Sequence, residues 1–293
     1  MTVIVSEPPA DGPGQGRASR SRLALSPSRA SDFKQCPLKY RLRAIDRIPE
    51  PPSRAAVRGT VVHAVLEDLF ALPAAERVPE RAGALVPAAL ARVGAEREGV
   101  AELVAVDTDR FVAEVRELLD AYYTLEDPTR FDAHSREERV EAALPGDIPL
   151  RGFVDRIDIA PDGRLRVVDY KTGRSPGPLH EAKALFQLKF YALMILRTRD
   201  IVPAQLRLIY LADRRILTYA PDREELDRFE RLVAALWTAI RAGGETGDFP
   251  PSKSSMCKFC EFQSLCPEFG GTVPEYPGWP ETDVPETDTA ETL

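Results

Sequence analysis

Gly152-Phe153-Val154-Asp155-Arg156-Ile157-Asp158 and Val167-Val168-Asp169-Tyr170-Lys171-Thr172-Gly173 are the two runs on which the fold turns. Both are rich in β-branched and aromatic residues, and Asp162-Gly163 between them is a strong hairpin-turn signal. The pattern predicts strands over 151–159 and 165–170, with another over 139–144. Alternate residues of a strand share a face, so Asp169 and Lys171 should project together from the end of one strand. Asp155 should lie on its hairpin neighbour.

Working outward, helical spacing takes over on both sides. Ser31 stands at an N-cap position ahead of a helix over 32–42 that contains Pro37, and a second helix is expected after Gly59, reaching about residue 72. Further helices are predicted near 80–96 and 108–124, where Phe111, Val115, Leu118 and Leu119 recur at helical intervals. Downstream of the hairpin come a helix over 182–199, strands over 204–212 and 215–219, and a long helix over 222–243. Helices, a strand meander, a helix, two strands and a helix make an α/β or α+β core with a helical insert.

The chain has 293 residues, enough for one large domain, and no apolar run approaches the ~20 residues needed to cross a bilayer. The start of the chain lacks the basic flank of a signal peptide, so a cytoplasmic protein with no membrane association is the expectation. Residues 1–22, rich in Pro, Gly, Ser and Arg, and residues 271–293, rich in Pro, Glu and Thr, are expected to be disordered tails around a folded body over 23–270. The net charge of −7 runs against nucleic-acid binding, but the last 23 residues hold six acidic groups and no Lys or Arg; the body is near neutral. Lys34, Lys39, Arg41, Arg43, Arg47, Arg54 and Arg58 form an early basic cluster that either follows phosphates or is an ordinary solvated face.

Two carboxylates from adjacent strands can converge on one hard cation, and Mg²⁺ is often held by one or two carboxylates plus substrate phosphate. Such an ion activates water and offsets charge building on a phosphodiester. Lys171, two residues beyond Asp169, can orient that water or stabilise the transition state. Asp169-x-Lys171 alone would pass for a solvated strand end; the upstream Gly-x-x-Asp-x-x-Asp at hairpin distance shifts the balance to a site. His63 lies on a helix with Leu66 and Phe70 on its inward side, and imidazole can complete a Mn²⁺ or, less readily, a Mg²⁺ site. Gln187 and Tyr191, at i and i+4, share a helix face and either orient the lysine, touch a nucleotide, or pack helix on sheet.

In this order (Gly59-Thr60-x-x-His63, then Gly152-x-x-Asp155-x-x-Asp158, then Asp169-Tyr170-Lys171-Thr172-Gly173, then Gln187-x-x-x-Tyr191) the residues resemble the RecB-like branch of the PD-(D/E)XK nuclease superfamily, over roughly residues 25–268. The resemblance implies a restriction-endonuclease-like central mixed sheet flanked by helices. It implies His63, Asp155 and Asp169 as ligands of Mg²⁺ or Mn²⁺, the Tyr170 carbonyl as a further ligand, and Lys171 as the catalytic lysine. Gln187 and Tyr191 match the branch's additional motif. The implied activity is exonucleolytic hydrolysis of DNA in repair or recombination; single-stranded ends are the expected substrate, since a cleft covered by the helical insert suits a threaded strand. A CRISPR adaptation nuclease that trims prespacers carries the same motifs, and a non-catalytic nucleic-acid-binding module on this fold is the reading from another class. No Gly-rich phosphate loop ending in Gly-Lys-Ser or Gly-Lys-Thr occurs, so the nuclease should be free-standing or work with a helicase or repair partner.

Cys36, then Cys257-x-x-Cys260 and Cys266, complete the pattern. Four thiolates suit a [4Fe–4S] cluster or Zn²⁺, and spacing leaves both open. RecB-like nucleases of the iron–sulfur type share this split arrangement. The resemblance therefore implies a [4Fe–4S] cluster that joins the two ends of the folded body in a C-terminal iron–sulfur segment.

Overall fold

A computed structural model describes residues 23–177 and 181–280. Its centre is a five-stranded mixed sheet in the order β1-β2-β3-β4-β5, with β1 Ser135–Leu144, β2 Ile148–Ile159, β3 Leu165–Lys171, β4 Gln205–Tyr210 and β5 Arg215–Tyr219. Among these strands only β3 and β4 run parallel; every other neighbouring pair is antiparallel. The parallel step needs a crossover, supplied by the helix Glu181–Arg199. The restriction-endonuclease-like α/β fold expected from the motifs is the fold observed, with the Asp162-Gly163 turn joining β2 to β3.

In chain order the helices are α1 Pro27–Gln35, α2 Pro37–Tyr40, α3 Arg54–Ala71, α4 Pro79–Glu96, α5 Val100–Ala105, α6 Thr108–Tyr123, α7 Glu181–Arg199 and α8 Arg223–Thr246. They cover the sheet on both faces. Against one, α7 and α8 enclose a core that includes Val167, Leu193, Leu206, Leu208, Phe229 and Val233. Against the other, α3, α4, α5 and α6 build a second core from Val61, Val65, Leu69, Val86 and Phe111, which meets the sheet at Val168, Tyr170, Ile209 and Leu211. This second layer is the anticipated helical insert.

The first helix differs from its expected form. Ser26, not Ser31, is the N-cap, its side chain accepting from the Arg29 amide at 3.2 Å. Cys36 is extended, at φ −162°, and Pro37 starts α2 at the first-turn position where a missing N–H costs nothing. A proline ring inside a helix crowds the preceding turn and removes a hydrogen bond, a cost α4 bears at Pro87 and the predicted 32–42 helix avoids by dividing at Cys36. Likewise α3 begins at Arg54, five residues before Gly59, because Ser53 caps it by accepting from the Ala56 amide.

Over 271–280 the structure departs from the disorder that the composition suggested. Residues 271–280 are packed against α8: Trp279 lies over Gly244 and under the Arg241 guanidinium, and the Tyr276 hydroxyl donates to the Gly244 carbonyl at 2.7 Å. Arg41 donates to the Pro274 carbonyl at 2.6 Å. Two aromatic anchors outweigh the disorder that Pro, Glu and Thr would otherwise favour. The remainder of that tail, 281–293, and the expected N-terminal tail, 1–22, lie outside the described residues. No helix among the described residues is long and apolar enough to cross a membrane.

Candidate functional site

β2 and β3 pair only between Arg156↔Val168 and Ile159↔Leu165. Beyond that point the strands part, and the side chain of Asp155 replaces the lost backbone partner: its Oδ2 accepts from the Tyr170 amide at 2.6 Å. β2 also reverses its pleat here. Val154 packs into the core under α7, whereas Arg156, two residues on, lies against Phe70 on the opposite layer. Directly across β1, Glu137 adopts φ +41°, a left-handed conformation that costs a non-glycine residue about 1–3 kcal/mol. The kink sets the Glu137 carboxylate beside Asp155 and His63.

Three potential ligands converge as a result. One ligand atom from each of His63, Glu137 and Asp155 lies within 4.8 Å of the others. His63, from the middle of α3, points its Nδ1 at Asp155 Oδ2 (3.4 Å) and Glu137 Oε1 (3.7 Å), while its Nε2–H donates to the Tyr170 carbonyl at 3.0 Å. Burial would lower the imidazole pKa, but Asp155, Glu137 and Asp169 overcome it and hold the value up at about 10. The imidazolium is the positive charge that keeps these carboxylates together.

Asp169 stands next to this trio and is almost fully buried. Gln187 donates to its Oδ1 at 2.8 Å, and its Oδ2 faces the Lys171 ammonium at 2.5 Å. Burial and the neighbouring Asp155 charge raise its carboxyl to about 6, against the pull of Lys171 and His63. Gln187 also donates to the Tyr191 hydroxyl at 3.1 Å, so the i, i+4 pair on α7 meets the sheet at the site. Gly152 makes that approach possible: a Cβ there would come within 3.3 Å of both Tyr191 and Met194. His63, Asp155, Asp169, Tyr170, Lys171, Gln187 and Tyr191 are thus brought into one cluster. The donor set of carboxylates plus one imidazole fits a hard or borderline divalent cation.

Two contributors were not singled out from the sequence. Glu137 was missed because it sits in an unremarkable Arg-Glu-Glu-Arg run; its only signal is a carboxylate opposite Asp155 once strand register is known. Arg156 was missed because a buried arginine has no periodic signature. It is 1% exposed, pairs with Glu126 at 2.9 Å and Asp158 at 3.0 Å, and donates to the Tyr170 hydroxyl at 2.5 Å. Its guanidinium lies over the adjoining rings of Phe70 and Phe131, 4.9 Å from each centroid. Asp158 of the Gly-x-x-Asp-x-x-Asp run therefore serves this network.

The early basic cluster does not form a free phosphate-tracking patch. Lys39 and Arg43 pair with Asp32, Arg41 with Asp46, and Arg54 and Arg58 with Glu114; Lys34 lies over the Phe186 ring. Apart from Lys34 and the exposed Arg47, these cations are held within the fold by acids, from Asp32 in α1 to Glu114 in α6.

The four cysteines, up to 230 residues apart in sequence, line one cavity where α2 meets the short 3₁₀ turns Ser255–Phe259, Gln263–Leu265 and Pro267–Phe269. All four are free thiols. Backbone amides aim at two of the sulfurs, Ser252 N–H at Cys36 Sγ (3.4 Å) and Ser254 N–H at Cys257 Sγ (3.3 Å). Leu38, Leu42 and Phe262 form a small apolar core beneath.

Comparison with known proteins agrees with this geometry. A profile described as the PD-(D/E)XK nuclease superfamily matches residues 24–267. The chain is 31% identical over 125 residues to the Gene 69 protein of Mycobacterium phage L5, covering 42% of this chain and 41% of that protein. It is 25% identical over 279 residues to the Gene 69 protein of Mycobacterium phage D29, covering 83% and 96%. It is 30% identical over 161 residues to the B subunit of the ATP-dependent helicase/deoxyribonuclease of Streptococcus equi subsp. zooepidemicus, covering 53% of this chain but 14% of that much longer protein. A solved structure from Eubacterium rectale, whose name carries a provisional exonuclease assignment, superposes with a TM-score of 0.53 over 81% of this chain and 87% of that one; at 12% identity the likeness is one of fold.

Proposed function

The chain belongs to the PD-(D/E)XK nuclease superfamily, and from that premise we propose that it is a Mg²⁺- or Mn²⁺-dependent DNA exonuclease of the RecB-like kind. The observation that carries the reading is the convergence of His63, Glu137 and Asp155 beside the buried Asp169–Lys171 pair. His63, Glu137, Asp155, Asp169 and the Tyr170 carbonyl would hold the ion, which supplies Lewis acidity toward a phosphodiester and its attacking water. Lys171 remains partly exposed, so its ammonium can reach a water or a phosphoryl oxygen while Asp169 fixes its position. Gln187 holds the other oxygen of Asp169 and Tyr191 supports Gln187, which orients the carboxylate without needing solvent.

The same Asp169–Lys171 pairing argues against a non-catalytic module, since a decayed site has no reason to retain a buried carboxylate. The likeness to part of a helicase/deoxyribonuclease supports a helicase partner. We further propose a [4Fe–4S] cluster on Cys36, Cys257, Cys260 and Cys266. Four thiols around one cavity with amide donors to sulfur fit such a group. A tetrahedral zinc with bonds of about 2.3 Å would draw the sulfurs to about 3.8 Å apart. Iron and zinc analysis of the purified protein separates the two.

The test is anaerobically purified full-length protein with Mn²⁺ and single- and double-stranded DNA labelled at either end. Cleavage by the wild type, lost in Asp169→Ala and Lys171→Ala, is expected. Absence of cleavage by the wild type, or equal cleavage by the two variants, refutes the reading. Brown protein with absorbance near roughly 400 nm is expected from iron–thiolate charge transfer; a colourless preparation with one zinc per chain rejects the cluster.

A further inference from the structure

Phe153 is out of place for its position. It stands inside β2, two residues before the Asp155 ligand, yet it is 52% exposed. A large aromatic residue in the middle of a strand is normally covered by the opposing layer. Strand alternation against the inward Val154 turns Phe153 away from the α7 core and toward α3, into a cavity of about 570 Å³. That cavity shares His63 and Glu137 with the candidate metal site, so whatever occupies it lies against the ligands. Its opposite wall is the small-residue face of α3 and α4, including Ala56, Ala64 and Val93.

The charge of the cavity restricts its occupant. Glu67, Glu96 and Glu137 supply carboxylates, and the lining arginine, Arg92, is paired with Asp68 at 3.0 Å. A phosphate is repelled by such walls. A flat, neutral ring that stacks on an aromatic face is not, and carboxylates accept from exocyclic amino groups. The volume falls in the range of small-molecule sites and accommodates one base with its sugar.

Resting on the nuclease reading above, we propose that Phe153 is a stacking platform for one unpaired nucleobase of the strand being cut, next to the scissile phosphate. The base enters the α3–α4 cavity while its phosphate passes the metal ligands. A base held in a duplex is stacked on its neighbours and unavailable, so Phe153 selects single strands or frayed ends. A stacking contact of this kind is sequence-tolerant, because every base has a π face.

The test uses the full-length, cluster-loaded protein and a single-stranded oligonucleotide carrying 2-aminopurine, in Ca²⁺ for binding and Mn²⁺ for cleavage. Wild type should quench the probe when it occupies the position next to the cut. Phe153→Ala should abolish that quenching and raise KM for single strands by roughly 5- to 150-fold, with Phe153→Tyr and Phe153→Trp retaining both. The exposed position means that Phe153→Ala leaves the core intact. Unchanged quenching and KM in Phe153→Ala overturn the stacking platform while leaving the nuclease reading in place. Quenching by wild type, lost in Phe153→Ala, without any cleavage in Mn²⁺ would do the reverse.

Discussion

Asp169→Asn should make the metal-free protein more stable while removing its activity. The Asp169 carboxyl sits at about 6 rather than 3.8, raised by burial and the Asp155 charge. A raised carboxyl pKa penalises the folded state once the group is ionised in both states: the penalty is absent below the unfolded value, develops between pH 3.8 and 6, and is complete above 6. A shift of about two units at 1.36 kcal/mol each sets a ceiling of about 3 kcal/mol at pH 7.5, and the stabilising pull of Lys171 is already contained in it. Asparagine keeps the acceptor for Gln187 and removes the charge, and the partly exposed Lys171 can turn its ammonium from the new amide to water, so urea unfolding in EDTA at pH 7.5 should show a gain of roughly 1–3 kcal/mol. The gain should fall to about half by pH 5 and approach zero near pH 4. With Mn²⁺ present the order should invert, because the wild type alone gains the full binding energy. A destabilised variant at pH 7.5 in EDTA, or a gain that does not shrink toward acid, refutes the argument that this site stores charge strain until an ion arrives.

The remaining predictions concern the elements that support the site. His63 carries a proton at pH 7.5 with its Nδ1 facing Asp155 and Glu137. Mn²⁺ must displace that proton, so affinity should rise with pH up to about 10, by as much as tenfold per unit; calorimetry showing pH-independent binding between 6.5 and 9 rejects this. Arg156→Met should cost about 3 kcal/mol in urea unfolding, the low end for breaking a buried ion pair, since Arg207 and Arg166 still face Glu126 and Asp158. A loss under about 1 kcal/mol would mean those two suffice. Gly244→Ala should expel Trp279, whose ring would lie 2.0 Å from the new Cβ. Residues 271–280 should then become protease-sensitive with a red-shifted tryptophan emission, and an unchanged digestion pattern would show that Tyr276 alone anchors the segment.

What the sequence determined by itself was local. The Asp162-Gly163 turn between two β-rich runs fixes a hairpin, and a hairpin fixes Asp155 beside Asp169 and Lys171, because strand alternation and turn chemistry act over a few residues. Helical spacing gave α6 and α7 to within a residue or two, and with α7 the Gln187–Tyr191 pair. The cysteine pattern was equally readable, as a motif, though not the cavity that gathers it. Tertiary structure decided the rest. Glu137 joins the site only because β1 registers against β2 and kinks at that residue, an arrangement its neighbours in sequence do not encode. Arg156 is buried because Glu126 and Tyr170 arrive from two other segments to join Asp158 of its own strand in satisfying it. Five of the seven early cations are neutralised by acids as far away as Glu114, and 271–280 is ordered by α8. Each of these depends on contacts between distant segments, whose free energy exists only once the layers have packed.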